Sequence, residues 1–561
     1  MRPARWNLAL AALAMVLSAS CADRPDLETA AAATINAEDL ARLTRTLSSD
    51  EFAGRGPASR GETRTLEFLQ SELERIGLEP MGDPGADGQR SWLQKVPVAE
   101  ITVDAATAAL RVPRNVAAAR RGTLEDLTYG EDFVAWTLHQ EALIEVTAPL
   151  VFVGYGVVAP EEGWNDYKRD VRGAIVVMLV NDPPVAGKFG DAAMTYYGRW
   201  TYKYEEAARQ GAAGALLIHN TEAAGYGWQV VRSSWSGAQF SLPTPPDAPQ
   251  PARFEGWITQ RAAAELFSAA SLSLPELTAA AASDSFEPVD LGFAAQVHLD
   301  NELRTISSYN VVAGVPGSEP EIADQTVMWT AHWDHLGEDL TIEGDGIYNG
   351  ALDNASGTAA LLEIAEAFAG LEPSTRRSQL FVFTTLEEQG LLGSAYYAAH
   401  PIVSPAKTLA AINIDGLNLF GPTTDMTVVG LGNSDLDRVL ADVLAPDDRT
   451  LTPDPEPEKG FFYRSDHFPL AKVGIPALFT DAGVHYIDKP DNYAALVRDQ
   501  YTRLHYHQPS DEFDPTWDFS GAQADVRALF RVGFAVAQGE DWPRWSEGSE
   551  FKAIRDASLE Q

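Results

Sequence analysis

Cysteine is nearly absent from this chain: 561 residues contain one, Cys21. No intramolecular disulfide can form, so the fold must rest on its packed core. Positive charge is scarce too. Lysine and arginine number 42 against 80 aspartate and glutamate, a formal net charge of −38. A basic footprint for nucleic acid is therefore missing, and so acidic a chain repels polyanions. Its simplest reading is a well-solvated surface. A membrane-spanning run is lacking at the N-terminus, where the apolar stretch Leu8 to Ser20 is too short to cross a bilayer as a mature helix. What is present is a globular composition, 45% hydrophobic and 22% charged,. The length exceeds the ~150 residues of an ordinary domain, so more than one is expected.

The N-terminal run follows Arg2 and Arg5, the layout of a signal peptide over residues 1–20. Ser18 and Ser20 place small residues before Cys21. Two readings of that cysteine stand: an incidental residue beside a discarded segment, or the acylated cysteine of a bacterial lipoprotein. The segment resembles the latter with its leucine, Leu17, displaced by one position. The expected destination is outside the cytoplasm, as a periplasmic, outer-membrane lipoprotein or secreted protein. Membrane attachment is expected only through a lipid on Cys21, and the oligomeric state is left open.

Between Ala37 and Asp83 leucines recur at helical spacing around a turn-rich segment, Leu47 to Gly56,. Strand-like patterning marks Thr102 to Leu110, Ala148 to Val158 with Gly154 and Gly156 interrupting, Ile175 to Val180 and Ala215 to His219, with a helix from Tyr204 to Gln210 and a proline-rich loop from Ser241 to Pro251,. From Ser308 strands and helices alternate. Candidate strands are Val327 to Ala331, Gln379 to Thr385, Leu409 to Ile414, Met426 to Val429 and Ala477 to Thr480; candidate helices are Gly357 to Phe368, Gly393 to Ala399, Ser434 to Leu444 and Gly521 to Ala537. This rhythm predicts an α/β fold, a mixed and largely parallel sheet flanked by helices, whose sites gather beyond the strands' carboxyl ends.

Acids and histidines fall at those ends. His332-Trp-Asp334 closes the first strand, and its two polar side chains share one face. Asp353 lies in a glycine-flanked turn before a helix, Glu387-Glu388 follow the second strand, Asp415 the third, and Tyr506-His507 sit in a turn-rich loop. Singly, each has a bland explanation as a turn, surface or structural residue. Together, with Asp353-Asn-Ala-Ser-Gly357, they resemble the motif set of the co-catalytic di-zinc aminopeptidases, relatives of glutamate carboxypeptidase II, glutaminyl cyclases and transferrin receptors. The resemblance covers residues 37–135 and 296–545 and implies a zinc exopeptidase fold. Residues 140–295, through Gly154-Tyr-Gly156, Asp166-Tyr167, Gly173 to Val177 and Ala207 to His219, resemble an inserted protease-associated domain, mainly β, with a role in substrate access.

By that resemblance two zinc ions are implied, with manganese or cobalt as substitutes. His332 and Asp415 would bind one, Glu388 and His507 the other, and Asp353 would bridge. Asp334 would orient His332, Glu387 would act as general base on a water between the metals, and Tyr506 is a candidate donor to the oxyanion. Other residues keep two readings: His335 as a support to a ligand or a packed side chain, Ser465-Asp466-His467 as pocket lining or a helix start, Arg464 as a partner for a substrate carboxylate or an offset to acidic surface. His485 and His505 match no motif and are read as structural. The expected function is removal of N-terminal residues from peptides. A carboxypeptidase or dipeptidase on the same scaffold, or a receptor-like binding protein without metals, is the alternative.

Overall fold

The computed structural model describes residues 27–112, 127–190, 193–243, 250–340 and 342–560. The signal-peptide segment, Cys21 and residues 244–249 of the proline-rich loop lie outside them. Among the described residues no helix is long and apolar enough to cross a membrane.

Local chemistry sets the first helices. Asn36 caps Ala37–Leu47 by accepting from Asp39 N at 2.9 Å. Ser59 caps Arg60–Ile76, which ends at Gly77 in the left-handed conformation, φ 90°; such a residue closes a helix at least cost when it lacks a Cβ. Both helices pack beside Gly357–Ala369.

At the centre lie Ser378–Thr384, Thr326–His332, Thr408–Asn413 and Ala477–Asp481, neighbours in that order and all parallel. All seven residues of Thr326–His332 are buried, as expected of a strand covered on both faces. Alternation assigns them. Val327, Trp329 and Ala331 face the helices Gly357–Ala369 and Ser520–Gln538, whereas Met328 faces the core of Phe468, Leu470 and Phe479. Helix and sheet approach closely at Gly533, where a Cβ would stand 2.1 Å from the Trp329 ring. The sheet grows antiparallel at both margins, by Asp425–Val428 on one side and Val289–Val315 on the other.

Val289–Val315 is a single strand of 27 residues. Its second half, from Asn301, pairs with Leu93–Val103; its first half, to Asp300, pairs with Leu143–Phe152. It therefore belongs to both sheets and runs unbroken through positions 295 and 296, where the sequence suggests a boundary. The chain leaves the central sheet at Val103 and returns at Asn301, which are paired partners; on the way Gln239–Ser241 adds a short antiparallel strand beside Leu93–Val103. Between them the second sheet orders Leu143–Phe152, Ile175–Leu179, Gly214–His219, Phe254–Thr259 and Phe133–Trp136. Phe133–Trp136, expected in the first peptidase segment, pairs here instead.

The inserted layer carries helices beside its strands. Its middle strands are parallel, and parallel neighbours need crossovers that bring the chain back to the same end. Trp200–Arg209 and the short helices near Thr221–Trp235 supply them, and Gln260–Ala269 packs on the same sheet. Two strands differ from expectation. The segment Thr102 to Leu110 is broken by a turn at Asp104 to Thr107, between Leu93–Val103 and Ala109–Arg111. The next strand ends at Phe152, because Gly154 and Gly156 take positive φ of 64° and 65°.

Candidate active site

Parallel register brings the motif-bearing strand ends to one edge: His332 stands opposite Thr384, and Thr330 opposite Asn413. His332 closes its strand, Glu387-Glu388 lie just past Thr384, and Asp415 just past Asn413. Asp353 comes from the turn preceding Gly357–Ala369, and His507 from the loop after Tyr493–Leu504.

The side chains converge. His332 Nε2 lies 3.2 Å from Asp415 Oδ1 and 3.3 Å from Asp353 Oδ1. His507 Nε2 lies 3.3 Å from Asp353 Oδ2 and 3.0 Å from Glu388 Oε2. The Asp353 carboxylate thus turns one oxygen to each imidazole. His332, Asp353 and Asp415 place one donor atom each within 4.8 Å of one another, as do His335, Asp353 and Glu388, and His332, Glu387 and Glu388. His335 accordingly joins the cluster: its Nδ1 lies 2.5 Å from Glu388 Oε1, and its Nε2 is buried without a partner.

Asp334 meets His332 in an unexpected way. The backbone carbonyl of Asp334 accepts from His332 Nδ1 at 3.2 Å, while its carboxylate stands 3.8 Å away and accepts from Glu387 N at 3.3 Å. One residue therefore ties the imidazole to the glutamate loop. Tyr506 stacks on His507 with ring centroids 3.8 Å apart. Its hydroxyl makes no hydrogen bond among the described residues.

The electrostatics follow from packing acids and imidazoles together away from water. Burial pushes the Glu387 carboxyl well above its usual range, with Asp415 and Glu388 adding to the rise against the opposing pull of His332. Burial also lifts Asp334 to about 8. Burial acts the same way on Glu388, yet the His507 charge overrides it and holds Glu388 down at about 2. Asp353 is likewise held well below the normal range, against burial, by hydrogen bonds from His332 and His507. The two imidazoles rise well above 6.5 although burial opposes it, because Glu387 and Asp415 surround His332, and Glu388 faces His507. The Tyr506 hydroxyl is pushed up to about 12 by burial.

Around these groups stand residues the sequence did not single out. Arg55, 1% exposed, donates to four backbone carbonyls, those of Leu47 (2.9 Å), Trp333 (2.8 Å), Asn349 (2.6 Å) and Gly350 (2.8 Å). Asn354 donates to Ile414 O at 3.0 Å and accepts from Gly416 N at 2.9 Å, which locks the Asp353 turn to the Asp415 strand end. Asp511 accepts from the backbone N–H groups of Leu352 and Asp353, each at 3.2 Å. Of the Ser465-Asp466-His467 run, Ser465 reaches the site: its hydroxyl donates to Asp415 Oδ2 at 2.6 Å and accepts from Asn413 Nδ2 at 2.7 Å. Asp466 accepts from Thr384 Oγ1 at 2.5 Å. His467 begins a short helix, fully buried, with burial depressing its pKa to about 3. His485 pairs with Asp425 and His505 with Ser510 O, both at 2.9 Å, in local structural contacts.

Known proteins share parts of this chain. Leupeptin-inactivating enzyme 1 of Streptomyces exfoliatus is 31% identical over 183 residues, 32% of this chain and 37% of that protein. Probable leucine aminopeptidase 2 of Aspergillus fumigatus is 25% identical over 377 residues, 63% of this chain and 59% of that protein. The matches thus span less than two thirds of either relative's length. Among solved structures, an aminopeptidase from Aneurinibacillus sp. strain AM-1 is 18% identical, with a TM-score of 0.48, over 91% of this chain and 96% of its own. The family model of Peptidase family M28 matches residues 310–530. That span holds every residue of the cluster from His332 to His507, and over it the chain is similar to peptidase family M28.

Proposed function

We propose that the chain is an exported zinc aminopeptidase that hydrolyses N-terminal residues from peptides, with two metal ions and Glu387 as general base. The observation that carries this reading is the Asp353 carboxylate, with one oxygen 3.3 Å from His332 Nε2 and the other 3.3 Å from His507 Nε2. A carboxylate so placed suits a bridge between two cations. The donor set fits as well: two imidazoles and three carboxylates converge, and among the described residues no lysine or arginine forms an ion pair with Asp353, Glu388 or Asp415. Imidazole and carboxylate suit zinc, with manganese and cobalt as substitutes.

His332 and Asp415 would hold one ion and Glu388 and His507 the other, with His335 fixing the free oxygen of Glu388. Two such cations supply a nucleophile at neutral pH and polarise the scissile carbonyl. Burial makes the Glu387 carboxylate more basic than an ordinary one, which suits a base that takes a proton from water and gives it to the leaving amine. Asp334 fixes the backbone of that glutamate. Tyr506 keeps its hydroxyl proton and is a donor for the developing oxyanion. The inserted layer acts as a protease-associated domain governing access, and residues 1–20 direct export, with Cys21 as the lipid-bearing residue.

The test is zinc analysis together with hydrolysis of aminoacyl chromogenic substrates. About two zinc ions per chain and loss of cleavage on chelation are expected. Glu387→Gln should retain metal and lose about 10²- to 10⁴-fold in kcat; an active variant overturns the choice of base. Turnover of N-blocked peptides alone would transfer the site to a carboxypeptidase.

A further inference from the structure

Residues 194–204 of the inserted layer lie against residues 457–472 of the catalytic layer. Met194 N donates to Pro457 O at 3.0 Å. The Tyr196 ring sits 5.8 Å from that of Tyr463 and 4.8 Å from that of Phe468, and Lys472 reaches the Tyr196 hydroxyl at 3.1 Å. Each side presents one arginine just past a single helical turn: Arg199 follows Tyr196–Gly198, and Arg464 follows Phe461–Tyr463.

In a chain with 80 acidic residues and 42 basic ones, an arginine that only balances surface charge should rest on a carboxylate. Among the described residues neither of these does. Arg199 lies against the Trp200 ring at 5.9 Å, and its Nε is buried without a hydrogen bond. Arg464 lies over Phe461 at 5.1 Å and is exposed to solvent. Burial first, and then the Arg464 charge, depress Arg199 to about 10. Two cations at one contact between the layers, one of them with a buried N–H unused, form an arrangement that a bound anion relieves.

The location ties this pair to the chemistry. Arg464 immediately precedes Ser465, whose hydroxyl holds Asp415 at 2.6 Å. Tyr226, from the inserted layer, feels both guanidinium groups. A planar guanidinium matches a carboxylate in shape and donor spacing.

We propose that Arg199 and Arg464 form a subsite for a carboxylate of the peptide substrate, either an acidic side chain next to the scissile bond or the free C-terminus of a short peptide. The proposal rests on the peptidase reading above and gives it a substrate class. It also gives the inserted layer a part in recognition, because half of the subsite comes from it.

The experiment uses the full zinc-loaded chain and two matched substrate pairs: Glu-p-nitroanilide against Gln-p-nitroanilide for a side-chain carboxylate, and Leu-Gly against Leu-Gly-amide for a C-terminal one. The readout is the ratio of kcat/KM within each pair, in which a general loss of activity cancels. A ratio above one is expected in one pair, which identifies the source of the carboxylate. It should fall about 10- to 100-fold in Arg464→Gln and in Arg199→Gln, carried by KM, and be partly restored in Arg464→Lys. Ratios near one in both pairs, or ratios unmoved by either variant, overturn the subsite while leaving the peptidase reading intact. If no substrate is cleaved, that reading fails, and thermal-shift titration with glutarate and glutaramide decides the subsite alone. Stabilisation by glutarate only, lost in the double variant, supports it; no response to glutarate in the unmodified chain refutes it.

Discussion

Replacing Arg55 by methionine removes a buried charge and leaves four carbonyl groups facing an apolar side chain of similar length. Arg55 joins the segment after Ala37–Leu47 to the loops that follow His332 and precede Asp353, through contacts of 2.6–2.9 Å. Hydrogen bonds from a charged donor are worth about 1.5–3 kcal/mol each, so four at about 2 kcal/mol total roughly 8. Burial opposes this, holding the guanidinium at about 10 instead of 12.5, and at about 1.4 kcal/mol per unit that returns some 3 kcal/mol. The expected net loss is therefore about 5 kcal/mol, a large part of a typical stability. Urea unfolding of metal-free protein at pH 7, followed by tryptophan fluorescence, measures it without a contribution from bound metal. Arg55→Lys keeps the charge but not the fork of donors, and should lie about midway between the two. A loss under about 1 kcal/mol in Arg55→Met, or equal effects of the two substitutions, refutes the claim that these bonds hold the site loops together.

Glu255, buried in the strand Phe254–Thr259, is pushed to about 8 by desolvation. Its folded pKa exceeds the unfolded 4.5, so the folded state retains a proton that the unfolded chain releases, and stability falls as pH rises from about 4.5 to about 8 and is level above. Glu255→Gln should remove up to about 5 kcal/mol of that decline, seen as unfolding midpoints that converge at pH 5 and separate at pH 8; parallel profiles would contradict it. Ser465→Ala deletes the 2.6 Å bond to Asp415 and should weaken zinc binding about 10- to 100-fold. Competition with a chromogenic chelator reads this directly, and unchanged affinity would detach Ser465 from the metal centre.

The cluster was legible in the sequence because strand ends in a parallel sheet share an edge. Once Val327 to Ala331, Gln379 to Thr385 and Leu409 to Ile414 are placed side by side, His332, Glu387, Glu388 and Asp415 must meet. The residues that fix those side chains were not legible. Arg55 and Asp511 act on backbone groups far away in the chain, and a carbonyl or an N–H leaves no mark in the side-chain pattern. Asn354 sits inside a motif that was seen, but its partners are again backbone atoms of another strand end. Tyr493–Leu504 escaped for a different reason: Ala494 is its one buried residue, so no apolar stripe repeats along it. The extent of Val289–Val315 was hidden because its two halves pair in different sheets and bury different partners.

Since Val103 and Asn301 are opposite partners in one ladder, the strands on either side of them form a β-hairpin whose connection runs from residue 104 to residue 300 and touches the same sheet again at Gln239–Ser241. A two-residue turn could close the same ladder. Each doubling of a flexible loop adds only about 0.6 kcal/mol of closure entropy, and a folded layer whose two ends already lie side by side costs the strands that carry it less than a flexible chain of the same length. The hairpin also fixes the orientation of that layer, because the same backbone continues from one sheet into the other without a hinge.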